Sequence, residues 1–192
     1  MSQNKLNTFG RVRALTDWKA VAFSAALLER MLPNYQLFCD STGFDDEGAC
    51  RKCLDLIWEW LSAPKSKINF SLQLEKVEEV TPDTQDYDFY GVYPAIDAAI
   101  GLSSALHLLL QQDLQGAVVI SKLSQGSVEA YLLMTGEATD DDVKQHPLMQ
   151  FEIEVQQELL DSLESLRRNS EQIKSLRALA LEAGISNIGL EI

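Results

Sequence analysis

Residues 95–135 read AIDAAIGLSSALHLLLQQDLQGAVVISKLSQGSVEAYLLMT. Apolar side chains recur there at spacings of three and four, and small residues such as Ala98, Ala99, Ser104, Ala105, Ser124 and Ser127 are interleaved with them. That periodicity belongs to helices, and small side chains let two helix backbones approach closely. The stretch is therefore two apolar helices, 95–112 and 117–135, joined by a short polar turn, and their composition places them at the centre of the fold. Period-two alternation bounded by turns is missing from the whole sequence, so strands are not expected.

The helical pattern extends outward from this pair. Residues 16–32 form a long helix with Thr16 as N-cap and Trp18, Val21, Ala25, Leu28 and Leu32 along one stripe. A shorter helix, 34–42, is stopped by Gly43, and further helices cover 45–61 and about ten residues after Asn69. The five prolines, Pro33, Pro64, Pro82, Pro94 and Pro147, fall between these patterns and read as breaks, because proline lacks the helical donor and clashes with the preceding turn. The last pattern runs over 148–183, with acids early and bases late, matching the helix dipole. Unbroken, it would be ~54 Å long, against a radius of gyration of about 16 Å for a compact chain of this size. It either restarts near Asn169 and Ser170 or overhangs to meet a partner subunit, in which case a homodimer is expected. The expectation is one all-α domain over residues 1–192, a multi-helical bundle of about seven to nine helices with a long C-terminal helix.

The 192 residues hold 29 acids and 16 bases, a formal charge of −13. With 46% hydrophobic and 23% charged residues the chain is globular rather than disordered. An acidic surface without a basic stripe argues against nucleic acid and against anionic membranes as partners. The excess is also local: residues 75–97 carry seven acids and one base, and residues 137–164 nine acids and one base. Three cysteines, Cys39, Cys50 and Cys53, form no disulfide framework. Residues 1–15 lack an apolar run suited to a signal peptide, and the richest apolar stretch is interrupted by Asp97 and His107. These features point to the cytoplasm.

Motifs that name a chemistry are few. Cys50-Arg51-Lys52-Cys53 is a CxxC pair beside two cations, a setting that lowers thiol pKa, but the βαβ context of a thioredoxin-type site is missing and Cys53 shares an apolar stripe with Ile57 and Trp60. Zinc held by Cys39, Cys50 and Cys53 would need distant His107 or His146 as its fourth ligand. Gly184 and Gly189 have the spacing of a phosphate loop, yet Leu190 and Glu191 stand where Lys and Ser or Thr belong. Nothing implies a cofactor.

The segment DYDFYGVYPAID, residues 86–97, concentrates three tyrosines, a phenylalanine and three aspartates at the start of a buried helix. Tyr87, Asp88, Tyr90, Tyr93 and Asp97 either form the lip of a pocket for a small polar or cationic ligand, or plug the core while an aspartate caps the helix. Asp55 and Glu59, four apart on one helix face, are a second carboxylate pair. Together with Asp88 and Asp97 they would supply oxygen ligands to a divalent metal in an enzyme reading.

The segments LLERMLPNYQLFCDSTGF (27–44), LDLIWEWL (54–61), NFSLQLEKVEE (69–79), YDFYGVYPAIDA (87–98) and SNIGLE (186–191) resemble the YjaG-like family of small bacterial proteins, a domain of unknown function. The resemblance spans almost the whole chain and implies an all-helical cytoplasmic bacterial protein, without a reaction, ligand or catalytic residue. The expected function is a non-enzymatic binding or protein-interaction module using loop 86–97 to meet a protein partner or a small polar or cationic ligand; the alternative is the divalent-metal-dependent enzyme.

Overall fold

The computed structural model describes residues 7–192; the start of the 1–15 segment, residues 1–6, lies outside them. Eight α-helices follow one another: α1 (Thr8–Arg13), α2 (Asp17–Thr42), α3 (Ala49–Ser62), α4 (Phe70–Glu79), α5 (Val92–Leu109), α6 (Gly116–Thr135), α7 (Pro147–Ser165) and α8 (Ser170–Leu181). A single 3-10 turn, Val143–Gln145, precedes α7. Among the described residues there is no strand, only an isolated antiparallel bridge between Ile185 and Glu191. The all-helical expectation and its helix count agree with this architecture. Helix α1 is an addition, started by the Asn7 side chain accepting from the Gly10 amide at 2.8 Å and tied to α7 through Arg11 and Asp161 at 2.7 Å.

The axis of the fold is α2, not the α5–α6 pair. Every residue from Ala20 to Met31 is buried, and α3, α5, α6, α7 and α8 all pack around it. The expected break at Pro33 is absent: α2 passes through it without ending. A proline there removes one helical hydrogen bond, but Asn34, Tyr35, Phe38 and Cys39 continue the buried face beyond it, and that burial outweighs one lost bond. Pro94 is likewise inside a helix, in the first turn of α5, where amides have no helical partner in any case. Pro64, Pro82 and Pro147 do mark helix boundaries.

Helix α5 is long and apolar enough to cross a membrane, with a mean hydropathy of 1.3, yet 56% of that stretch is buried inside the fold, where α2, α4 and α6 cover it. Helices α5 and α6 meet closely because Gly116 has no side chain: a Cβ there would lie 2.5 Å from the Ser104 carbonyl oxygen.

The terminal pattern restarts. Between α7 and α8 the chain turns extended at Leu166, and Asn169 caps α8 by accepting from the Gln172 amide at 2.9 Å. The Gln172 side chain in turn accepts from the Arg167 amide at 2.6 Å, a reciprocal arrangement that holds the break. Arg168, freed by it, lies 4.1 Å from the Trp60 ring centroid and donates to the Trp60 carbonyl at 2.8 Å at the end of α3. Both terminal helices pack along the body, so the long overhanging helix that motivated a dimer does not form.

A polar network runs through the centre. Arg30, 1% exposed, donates from Nη2 to Glu152 Oε2 of fully buried Glu152 at 3.0 Å. The other Glu152 oxygen accepts from the Ser124 hydroxyl at 2.6 Å and from Gln156 Nε2 at 3.0 Å. Asn187 in the C-terminal tail, also fully buried, donates to the Ser124 carbonyl at 3.2 Å and accepts from Asn34 Nδ2 at 2.8 Å. Its amide reaches the Arg30 carbonyl at 3.0 Å, beside the Pro33 gap in the helical ladder. Removing one member of a buried ion pair strands the other charge, at a cost of about 3–5 kcal/mol. Arg30→Met is therefore expected to lower unfolding free energy by about that amount in urea titrations, and Arg30→Met combined with Glu152→Leu to recover much of the loss. A double variant as unstable as the sum of the singles would contradict this coupling.

Candidate functional site

Loop 86–97 divides between two environments. Tyr87 packs edge-on against Phe38, ring centroids 4.8 Å apart, and Phe89 stacks on the same ring at 6.1 Å with the planes 6° apart. Gly91 makes room for Phe89, whose ring would lie 2.5 Å from a Cβ at that position. Tyr90 and Tyr93 turn the other way: their centroids are 5.9 Å apart, and Tyr90 stands 6.3 Å from Tyr131 of α6. Asp97, one turn along α5 from Tyr93, lines a hollow of ≈ 380 Å³ with Val119, Lys122, Leu123 and Gly126. Burial raises the Asp97 carboxyl above the ordinary range, with the Ser127 hydroxyl acting in the opposite sense. Burial, together with the Asp97 charge and Tyr131, pushes the Tyr90 hydroxyl up to about 12, so it stays protonated at neutral pH.

The predicted site residues thus form parts of two clusters. Tyr90, Tyr93 and Asp97 are brought together, Tyr87 is partly buried against the core, and Asp88 is exposed. Asp55 and Glu59 line a separate groove of ≈ 850 Å³ over α3 and α4, with Asp45, Asp46 and Glu79 and with Lys52 and Lys76 among them. Asp55 is already engaged by Arg177 at 2.7 Å and by Arg51 at 3.6 Å. Among the described residues no group of three or more His, Cys, Asp or Glu side chains is gathered as a metal cluster.

Outward from the acids, α5 leaves a stripe uncovered. Tyr93 is 52% exposed, and Ile100, seven residues on and so on the same face, is 42% exposed, as is Phe89 just before the helix. Asp86 and Asp88, in the loop that leads into α5, are exposed as well.

Sequence reasoning missed two buried charges of α2, Glu29 and Arg30. Glu29, 4% exposed, accepts from Arg51 of α3 at 3.0 Å, from Trp58 Nε1 at 2.9 Å and from Arg177 of α8 at 2.9 Å. The available signal was their position: a Glu-Arg pair between Leu28 and Met31 in an otherwise apolar helix has to find partners.

A family model described as a protein of unknown function, DUF416, matches residues 7–191. The chain belongs to the DUF416 family. It is 46% identical to the uncharacterised protein YjaG of Escherichia coli K12 over 99% of this chain and 98% of that one. An uncharacterised protein of Haemophilus influenzae is 39% identical over 94% and 95%. The crystal structure of a DUF416 protein from Shewanella baltica OS155 superposes with a TM-score of 0.89 at 37% identity, covering 98% of this chain and all of that one. The YjaG-like resemblance of the aromatic segment and the tail is thereby accounted for, and within this DUF416 chain both segments are structural: Tyr87 seals the Phe38 side of the core and Asn187 enters the central network.

The CxxC pair of the DUF416 chain is not set up as a low-pKa thiol. Cys39, Cys50 and Cys53 are all free and buried. Although Cys50 lies in the first turn of α3, burial dominates and pushes its thiol, like that of Cys53, up to about 12; Cys39 is pushed up to about 11. His107 is paired through Nδ1 with Gln112 at 2.8 Å, and His146 caps α7 by accepting from the Leu148 amide at 3.1 Å. Unfolded thiols lose their protons near 9.0 while the buried ones hold theirs to about 11–12. Between those values the folded state binds more protons, so stability falls as pH rises through that window. The urea midpoint should accordingly decline from pH 9 upward, less steeply in Cys50→Ala/Cys53→Ala, and a thiol reagent at pH about 8 should label the native protein far more slowly than the unfolded one. Rapid labelling of Cys50 in the folded protein would refute this.

Proposed function

We propose that this protein is a cytoplasmic, non-catalytic binding module whose contact face is loop 86–97 with the outward stripe of α5. The observation that carries the reading is the exposure of Tyr93 and Ile100 on one face of α5, with exposed Phe89 and the exposed carboxylates of Asp86 and Asp88 in the loop that leads into that helix. Large exposed apolar side chains rimmed by polar groups are the anatomy of a contact surface. Aromatic anchors supply contact area at low entropy cost, and acidic neighbours select a basic partner and speed its approach. Three buried free cysteines suit a reducing compartment.

The surface is tested with random displayed peptides selected against the folded protein. Enriched sequences should combine Lys or Arg with an apolar anchor, and Tyr93→Ser or Phe89→Ser should weaken the enriched peptides at least about tenfold, the change set by losing roughly 1.4 kcal/mol of contact. The thermal midpoint should hold in Tyr93→Ser, a ring 52% exposed, and fall modestly in Phe89→Ser, whose ring stacks on Phe38. Enriched peptides that bind both variants unchanged would overturn the assignment.

A further inference from the structure

Helix α6 carries a glycine that its packing does not explain. A Cβ at Gly101 would crowd Leu28 at 3.0 Å, and one at Gly116 would crowd the Ser104 carbonyl oxygen at 2.5 Å. A Cβ at Gly126, inside α6, would meet no atom within 4 Å, and no left-handed backbone calls for glycine there. Glycine in a helix interior is destabilising relative to alanine, because the unfolded chain loses more freedom on folding. What the missing side chain leaves is open space in the hollow of ≈ 380 Å³ that Gly126 lines with Asp97, Val119, Lys122 and Leu123.

Two opposite charges meet this hollow. Half-buried Asp97 comes from α5 and exposed Lys122 from α6. Among the described residues no ion pair joins them or ties either one to another side chain. The Lys122 ammonium lies 5.7 Å from the ring centroid of Phe9 in α1. A half-buried carboxylate without a cation is costly, and burial accordingly raises the Asp97 carboxyl above its ordinary range. Val119 and Leu123 make the rest of the lining apolar.

We propose that the hollow binds a small zwitterion of amino-acid type, its ammonium on Asp97, its carboxylate on Lys122 and its apolar body against Val119 and Leu123. A simple cation would satisfy Asp97 and bring a like charge to Lys122; a simple anion would do the reverse. A neutral molecule would leave both charges unmet. At ≈ 380 Å³ the hollow is near the lower end of the range of about 300–1,000 Å³ for small-molecule sites, which suits a single amino acid. Gly126 keeps room for the ligand at a cost in helix stability, a trade that a binding function accounts for. Of the segment 86–97 only Asp97 lines the hollow, and Phe89, Tyr93 and Ile100 do not. This site and the peptide contact face therefore stand or fall separately.

The test is a chemical-shift titration at low ionic strength that follows the Lys122 and Gly126 amides. Two zwitterions of different charge spacing are used, leucine and 5-aminopentanoate. Each is set beside the amine and the acid left by deleting one charged group: 3-methylbutylamine and 4-methylpentanoate for leucine, butylamine and pentanoate for 5-aminopentanoate. At least one zwitterion should bind about tenfold more tightly than its acid, the effect of one charge-assisted contact to a half-buried carboxylate. It should bind about threefold more tightly than its amine, because exposed Lys122 contributes less. Asp97→Asn should weaken that zwitterion about tenfold, and Lys122→Gln about threefold while leaving the amine unaffected. Gly126→Leu should raise the thermal midpoint by about 2–4 °C through better helix propensity and abolish binding by filling the hollow. A purely structural role for Gly126 would not couple gained stability to lost binding. The proposal is overturned if neither zwitterion shifts these amides, if an amine or acid matches its parent zwitterion, or if binding survives Gly126→Leu or is unchanged in Asp97→Asn.

Discussion

The Arg30–Glu152 ion pair is the interaction around which the other parts are placed. Taking a guanidinium and a carboxylate out of water costs several kcal/mol per ion, and their attraction offsets this only with good geometry and further hydrogen bonds. The structure meets both conditions for the carboxylate: the pair is 3.0 Å apart, and Glu152 also accepts from Ser124 and Gln156. Those partners come from α6 and from one turn along α7, so satisfying one acid determines where two helices stand against α2. Asn187 then joins Ser124 to Asn34 and brings the tail into the core. An apolar contact tolerates sliding by a residue; a buried charge with a single acceptable partner does not, which is why such a pair specifies register even where it adds little net stability.

Glu29, one residue earlier, performs the same office on the other side of α2. Adjacent helical residues point about 100° apart, so the two charges serve different neighbours: Glu29 gathers Arg51 and Trp58 of α3 with Arg177 of α8. One helix thereby docks two sets of partners through opposite signs, and mispairing them would bring like charges together. The segment of α2 around Pro33 is part of this design, because the Arg30 carbonyl close to it accepts the Asn187 amide. The broken terminal helix also belongs to it. Only by turning between Ser165 and Ser170 can one segment present Glu152 to Arg30 and the other present Arg177 to Glu29.

Helix count, the Gly43 stop and the helix start after Asn69 were legible, since each rests on contacts within a few residues. The restart at Asn169 was one of two open readings, and the reciprocal Gln172 bond that decides it is still local. Pro33 misled for a physical reason: a proline's local cost is visible in sequence, whereas the burial of Asn34, Tyr35 and Phe38 that overrides it depends on distant helices. The choice of central helix failed in the same way. Composition favoured α5 and α6, but α2 is the helix wrapped on all sides because its two charges are matched from outside. The aromatic loop was recognised as unusual, yet its division into a core-sealing half, Tyr87 with Phe89 on Phe38, and an outward half, Tyr90 with Tyr93, follows from where α2 and α6 present their own rings.

What the amino-acid sequence determined by itself was everything carried by period, cap and composition: an all-helical chain, its approximate segments, the low number of reactive motifs and the family to which it belongs. Tertiary structure alone decided which charges are buried and which carboxylates meet cations. The reason is range. Helix formation is set by neighbours three and four positions away, while the fate of a charge depends on partners more than a hundred residues distant, as Arg30 and Glu152 are.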